Sequence, residues 1–189
     1  MRFIEAGLPG AWILEPEPVR DHRGFFARTF CVREFASRGL ATSFVQHSTS
    51  QSAAAGTLRG MHFQKAPHAE VKVVRCLKGA IWDVIVDLQP GSPTFRRWRG
   101  FELSAGNRRQ LYVPTGFAHG FQTLRDDTEV GYLISAFHAP EAAGGVRHDD
   151  PALGIDWPLP VSSISGRDST WPLLAAASGM APAAPGRPG

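Results

Sequence analysis

Val71-Lys72-Val73-Val74-Arg75-Cys76-Leu77-Lys78-Gly79-Ala80-Ile81-Trp82-Asp83-Val84-Ile85-Val86-Asp87-Leu88 is the stretch that decides the fold class. It holds two runs rich in β-branched and aromatic residues, 71–77 and 80–88. Lys78-Gly79 separates them at hairpin distance. Outward from this pair, segments 10–16, 25–30, 98–103, 109–113, 121–124 and 129–137 have the same character and are bounded by Gly, Pro, Asn or Asp. One short helix is expected over 32–39, ending at Gly39. Strands spaced regularly by turns over about 120 residues, without interleaved helices, predict an antiparallel sandwich or barrel such as a jelly roll.

The chain has 189 residues, of which 43% are hydrophobic and 20% charged, the composition of an ordinary globular protein. Its 20 Gly and 15 Pro argue against a helical bundle. One domain is expected over 1–173, followed by an Ala/Pro/Gly-rich tail over 174–189 that is expected to be disordered. Most basic residues are Arg; the only lysines are Lys65, Lys72 and Lys78, and the net charge is +3. So small and scattered an excess gives no nucleic-acid surface. Cys31 and Cys76 form no C-x-x-C pair, which suits reduced thiols in a cytoplasmic protein. No apolar window is long enough to span a membrane, and the first residues do not read as a signal peptide.

Two stretches carry chemistry: Gly56-Thr57-Leu58-Arg59-Gly60-Met61-His62-Phe63-Gln64 and Pro114-Thr115-Gly116-Phe117-Ala118-His119-Gly120-Phe121. In the second, Pro and Gly form a tight turn that delivers a His at a strand start. Lys72 lies inside an apolar strand, where its ammonium needs a cavity, a partner or a shifted pKa. Strand alternation puts Asp83 and Asp87 on the face of Ile81 and Ile85. Taken singly, each residue has a plain structural reading. The His can be a satisfied structural residue, the Lys an edge gatekeeper, the Asp a turn or bulge residue. Phe25, Phe26, Phe30, Phe117 and Phe121 read as core. Together, inward His, Lys and Asp beside aromatics describe a small-molecule pocket.

With these residues in place, the sequence resembles the dTDP-4-dehydrorhamnose 3,5-epimerases, cupin-fold enzymes of deoxysugar biosynthesis. Besides the two stretches above, the resemblance rests on Asp21-His22-Arg23-Gly24-Phe25-Phe26, Val71-Lys72-Val73-Val74, Asp83-Val84-Ile85-Val86-Asp87, Ser92-Pro93-Thr94 and Asp150-Pro151-Ala152-Leu153-Gly154-Ile155-Asp156-Trp157-Pro158. It implies an all-β cupin jelly-roll barrel with a few short helices. It also implies an epimerase that inverts C3 and/or C5 of a nucleoside-diphosphate 4-keto-6-deoxyhexose, with no metal or other cofactor. His62 would be the base, oriented by Asp168 or, as a second choice, Asp83. Lys72 would stabilise the enolate oxygen, and Tyr132 would return the proton. Arg23 and Arg59 would hold the diphosphate, while Gln46, Ser48, His119, Phe26, Arg28, His138 and Arg167 would contact substrate. The resemblance further implies a homodimer with 25–30 near the interface.

Departures from the family pattern fall on recognition rather than on the acid–base set. Arg28 stands where a Glu is frequent, Ser48 where an Asn is common, His138 interrupts an aromatic pair, and Arg167 replaces a Lys. Two other readings compete. One is a metal-dependent cupin with ligands drawn from His62, His68, Glu70 and His119, although His62-Phe63-Gln64 lacks the second His of a His-x-His motif. The other is a non-catalytic sugar-nucleotide-binding member of the fold.

Overall fold

Residues 71–77 and 80–88 do form strands, but the strands do not pair with each other. In the computed structural model, which describes residues 1–174, the chain runs β1 (Arg2–Glu5), β2 (Trp12–Glu15), β3 (Val19–Asp21), β4 (Gly24–Phe26), α1 (Val32–Ala36), β5 (Gln46–Ser52) and β6 (Thr57–Gln64). It continues through β7 (Lys72–Lys78), β8 (Ala80–Asp87), β9 (Trp98–Ser104), β10 (Gln110–Val113), β11 (Phe117–Thr123), β12 (Thr128–Ile134), β13 (Ala143–Gly145), β14 (Ser163–Ile164) and α2 (Gly166–Ser169). One sheet has the order β1-β2-β10-β7-β12-β5 and the other β13-β6-β11-β8-β9, with β14 added to β6. This is the expected all-β jelly roll.

The expected hairpin is therefore a link between sheets. Lys78 ends β7 opposite Glu129, whereas Ala80 starts β8 opposite Ser104. Gly79 makes the crossing at φ +80°, in the left-handed region that glycine enters without strain.

Alternation sorts the side chains into layers. Between the sheets lie Ile13, Val74, Leu111 and Val130 from the first, with Ile81, Ile85, Leu103 and Phe121 from the second. Outside the first sheet, Val73, Leu14 and Tyr112 pack against Phe35 of α1. Phe3, Phe30, Phe44 and Tyr112 all meet Phe35 or one another edge-on, with ring centroids 4.8–6.3 Å apart. Outside the second sheet, Met61, Val84, Val86 and Trp98 are covered by Val146, Leu153, Trp157 and Leu174.

Several expectations shift. The strand expected over 25–30 is only Gly24–Phe26, and with β3 it forms a separate two-stranded ribbon. Phe25 and Phe26 are 47% and 75% exposed, so they are not core in this chain. β5 and β6 were not foreseen as strands. β5 is almost entirely polar, and β6 is interrupted by Gly60 at φ +140°. A Cβ at Gly60 would sit 2.5 Å from the Cα of Gly120, so the two strands approach more closely there than any side chain permits. Leu174, the first residue of the expected tail, is docked: its amide donates to Asp150 Oδ2 at 2.5 Å. The rest of that tail, 175–189, lies outside the described residues.

Candidate active site

Between the sheets, at the end opposite the apolar core, lies a cavity of about 660 Å³. Period-2 alternation assigns its walls. β5 contributes Gln46, Ser48 and Ser50, β7 contributes Lys72, and β12 contributes Tyr132, all from the first sheet. The second sheet contributes Arg59 and His62 from β6 and His119 from β11. His62 and His119 are register partners on neighbouring strands. Ile134 pairs with Lys72 and Tyr132 with Val74, so the lysine and the phenol lie on one face of adjacent strands. His62 and Tyr132 thus stand on opposite walls.

His62 Nε2 is 2.6 Å from Asp168 Oδ1. A carboxylate only accepts, so Nε2 carries the proton and Nδ1 is the basic atom. Asp168 sits on α2, whose first turn is capped by Ser165 accepting from the Asp168 amide. The Gly60 amide donates to Asp168 Oδ2 at 3.2 Å and the Trp171 indole to Oδ1 at 3.3 Å. Burial works to raise the Asp168 carboxyl. The bonds from His62, Gly60 and Trp171 outweigh it and hold the group below its ordinary value. Asp83, the second-choice partner, does not touch His62. Its Oδ1 lies 2.7 Å from His119 Nε2, forming a second, fully buried His–Asp pair.

On the facing wall, Tyr132 Oη is 3.1 Å from Ser50 Oγ. Burial pushes its phenol well above the ordinary tyrosine value, which keeps it protonated at neutral pH. Lys72 is nearly buried and its Nζ lies 2.8 Å from Glu70 Oε1. Arg59 is pinned by Ser52 Oγ at 3.1 Å and the Gln51 carbonyl at 2.8 Å. Gln46 and Gln64 hold the loop that carries His138: Gln46 Oε1 accepts from the His138 amide at 2.7 Å and Gln64 Oε1 from the Ala139 amide at 2.7 Å.

Gln46, Ser48, Arg59, His62, Lys72, His119, Tyr132, His138, Arg167 and Asp168 therefore come together at one cavity. Arg23, Phe26 and Arg28 do not line it. Arg23 pairs with Asp21 at 2.6 Å on the exposed ribbon, and Arg28 lies 3.3 Å from Glu34. Asp87 serves a turn instead, accepting from the Thr94 hydroxyl at 2.6 Å and the Gln89 amide at 2.9 Å. Two site residues were missed, Ser50 and Trp171, and Glu70, weighed only as a metal ligand, is instead the partner of Lys72. Ser50 lies at even spacing from Ser48, a signal visible once 46–52 is read as a strand. The metal-ligand alternative finds no support in the geometry. His62, His119 and Glu70 are each engaged by a different partner, and among the described residues no three His, Cys, Asp or Glu side chains are gathered to hold an ion. Burial pushes the Cys76 thiol up to about 11, which removes it as a nucleophile.

Residues 5–176 match the family model described as dTDP-4-dehydrorhamnose 3,5-epimerase. The dTDP-4-dehydrorhamnose 3,5-epimerase of Methanothermobacter thermautotrophicus is 44% identical over 173 residues, covering 90% of this chain and 92% of that protein. The crystal structure of the Bacillus anthracis dTDP-4-dehydrorhamnose 3,5-epimerase with TDP and PPi bound superposes at a TM-score of 0.89 with 46% identity, covering 92% of this chain and 99% of that one. A Legionella pneumophila dTDP-6-deoxy-D-glucose-3,5-epimerase in complex with dTDP-4-keto-L-rhamnose gives a TM-score of 0.85 with 36% identity, covering 91% and 92% of the two chains.

Proposed function

The chain belongs to the dTDP-4-dehydrorhamnose 3,5-epimerase family and is an epimerase of a dTDP-linked 4-keto-6-deoxyhexose, and from that premise we propose how its own residues carry the reaction. The hydrogens on C3 and C5 flank the ketone and are weakly acidic. His62 Nδ1 removes one of them, with Asp168 stabilising the imidazolium that forms. The electron pair moves into the ring as an enolate. Lys72 supplies the positive charge at the C4 oxygen, where charge develops in the transition state. Tyr132, protonated on the facing wall, delivers a proton to the opposite face of the same carbon, and the configuration inverts. Arg59 and Arg167 are the cations at the cavity for the diphosphate, forked donors being suited to phosphate oxygens. His119, Gln46, Ser48 and His138 recognise the sugar and the base.

The observation that carries this reading is the placement of a His–carboxylate pair and a buried phenol on opposite walls of one cavity, with an ammonium beside the phenol. It is also what speaks against a member that binds without turnover. The reading extends to a homodimer. The β3–β4 ribbon exposes Phe25 and Phe26, and their burial needs a surface outside this chain. Arg23, Phe26 and Arg28 would meet substrate only across such an interface. Two free cysteines fit a cytoplasmic location, and no helix among the described residues is long and apolar enough to cross a membrane.

The test is solvent exchange read by NMR. Incubating the enzyme with dTDP-4-keto-6-deoxyglucose in D₂O should place deuterium at C3, C5 or both. His62→Ala should abolish exchange at every inverted carbon while nucleotide binding survives. Tyr132→Phe should spare exchange more than net inversion. Near-normal exchange in His62→Ala would exclude His62 as the base. A parallel panel of UDP-, GDP- and CDP-linked analogues reads the nucleotide preference that Ser48, Arg28 and His138 set.

A further inference from the structure

We propose that Trp171 is a positioning residue of the His62–Asp168 pair, the donor that fixes the Asp168 carboxylate toward His62; this deepens, and rests on, the reading of His62 as the base. Asp168 is almost buried and its two oxygens are held differently. Oδ2 accepts from the Gly60 amide alone, at 3.2 Å. Oδ1 is shared by His62 Nε2 at 2.6 Å and the Trp171 indole N–H at 3.3 Å. With Gly60 as its one fixed donor, the carboxylate could rotate away from the imidazole. A second fixed donor, on the oxygen that faces His62, removes that freedom.

Trp171 is itself held in place. It lies two residues beyond the end of α2, and the Pro172 after it restricts its backbone to extended conformations. One face of its ring lies against Gly145, where any Cβ would stand 2.3 Å from the indole Cε2. Arg167 stacks its guanidinium 4.9 Å from the ring centroid. The ring also meets the His62 imidazole edge-on, with centroids 6.3 Å apart. Gly145 is the strand partner of His62, so the absence of a side chain on β13 admits the indole beside both members of the pair.

The indole also moderates the pair electrostatically. A donor on Oδ1 draws carboxylate charge away from His62.

Trp171→Phe keeps the ring and deletes the N–H. With dTDP-4-keto-6-deoxyglucose as substrate, kcat should fall about tenfold, the effect of one hydrogen bond to a charged group. KM should stay within about twofold, because the indole orients the pair rather than the substrate. Trp171→His, which retains a ring N–H, should recover part of the loss. An unchanged kcat in Trp171→Phe, or a rise in KM alone, would reduce Trp171 to a wall of the cavity and overturn the proposal. So would a Trp171→His enzyme no better than Trp171→Phe. If neither variant folds, the indole itself decides: the ¹⁵N–¹H signal of Trp171 should differ between the wild-type enzyme and Asp168→Asn, and an unshifted signal overturns the proposal. His62→Ala, assayed alongside, separates the two levels. Activity in His62→Ala removes the base assignment itself, whereas an inactive His62→Ala with a normal Trp171→Phe removes only the role of Trp171.

Discussion

The second sheet carries two His–Asp pairs side by side, and they differ in almost everything but composition. The His62 side chain is 41% exposed at the cavity and its carboxylate comes from α2, 106 residues later in the chain. The His119 side chain is 5% exposed and its carboxylate comes from the neighbouring strand β8, with Asp83 Oδ1 at 2.7 Å and no exposure at all. Among the described residues no donor reaches Asp83 Oδ2. The first pair has an open face through which a proton can come and go. The second is locked between strands, and Asp83 holds the His119 imidazole in one orientation on the cavity wall. Identical side chains thus differ in their access to the cavity and in what holds the carboxylate, and the proposed mechanism uses the accessible pair as its base.

That contrast can be broken by substitution. His62→Ala should lower turnover about a thousandfold, within the range for losing a general base; the matching His119→Ala should lose far less, and equal losses would erase the distinction. Asp168→Asn should cost about a hundredfold in kcat while the denaturant midpoint barely moves. Asp83→Asn should do the reverse, costing about 1–3 kcal/mol of stability through a buried charged hydrogen bond and less activity, with urea unfolding as the measurement. The smallest effect concerns pH. The folded Asp168 carboxyl is held below its ordinary value. Its contribution to stability is therefore complete above about pH 4 and disappears as pH falls through the lower, folded value. Asp168→Asn should flatten the acid limb of the stability curve in that window, so that its small deficit against the parent enzyme is present near neutrality and vanishes at low pH.

Away from the cavity, Phe35→Ala should cost about 3–5 kcal/mol by opening a hole in the aromatic cluster outside the first sheet, with kcat unchanged in the folded fraction.

What was legible in the sequence follows from where each segment gets its stability. β7, β8, β10 and β12 are held by apolar packing, and their β-branched runs announce it. β5 reads Gln46-His47-Ser48-Thr49-Ser50-Gln51-Ser52, because one face lines a polar cavity and the other is largely exposed; propensity cannot see a strand that is held by its neighbour β12. Lys72 and Asp83 were visible as polar residues inside apolar runs. His62 and Tyr132 took their roles from resemblance, since neither spacing nor burial in sequence places them on facing walls. The partner of each was a tertiary fact. Asp83 looked as close to His62 as Asp168 did, and only the register of β8 against β11 sends it to His119. Lys78-Gly79 misled because a two-residue link serves a hairpin and a change of sheet equally well.

The carboxylate proposed for the base arrives on a segment whose backbone joins the barrel through a two-residue strand, β14 on β6, and the Ser162 amide at Gly56, the other ties being side chains: Gln122 at Leu159, Ser162 at Ala55, Asp168 at Gly60 and His62, and Asp150 at Leu174. A segment with so little backbone pairing is the kind that opens locally at a lower free-energy cost than the whole molecule. On warming, this enzyme should therefore fall silent while its two sheets are still intact, so that its inactivation temperature lies below its calorimetric one.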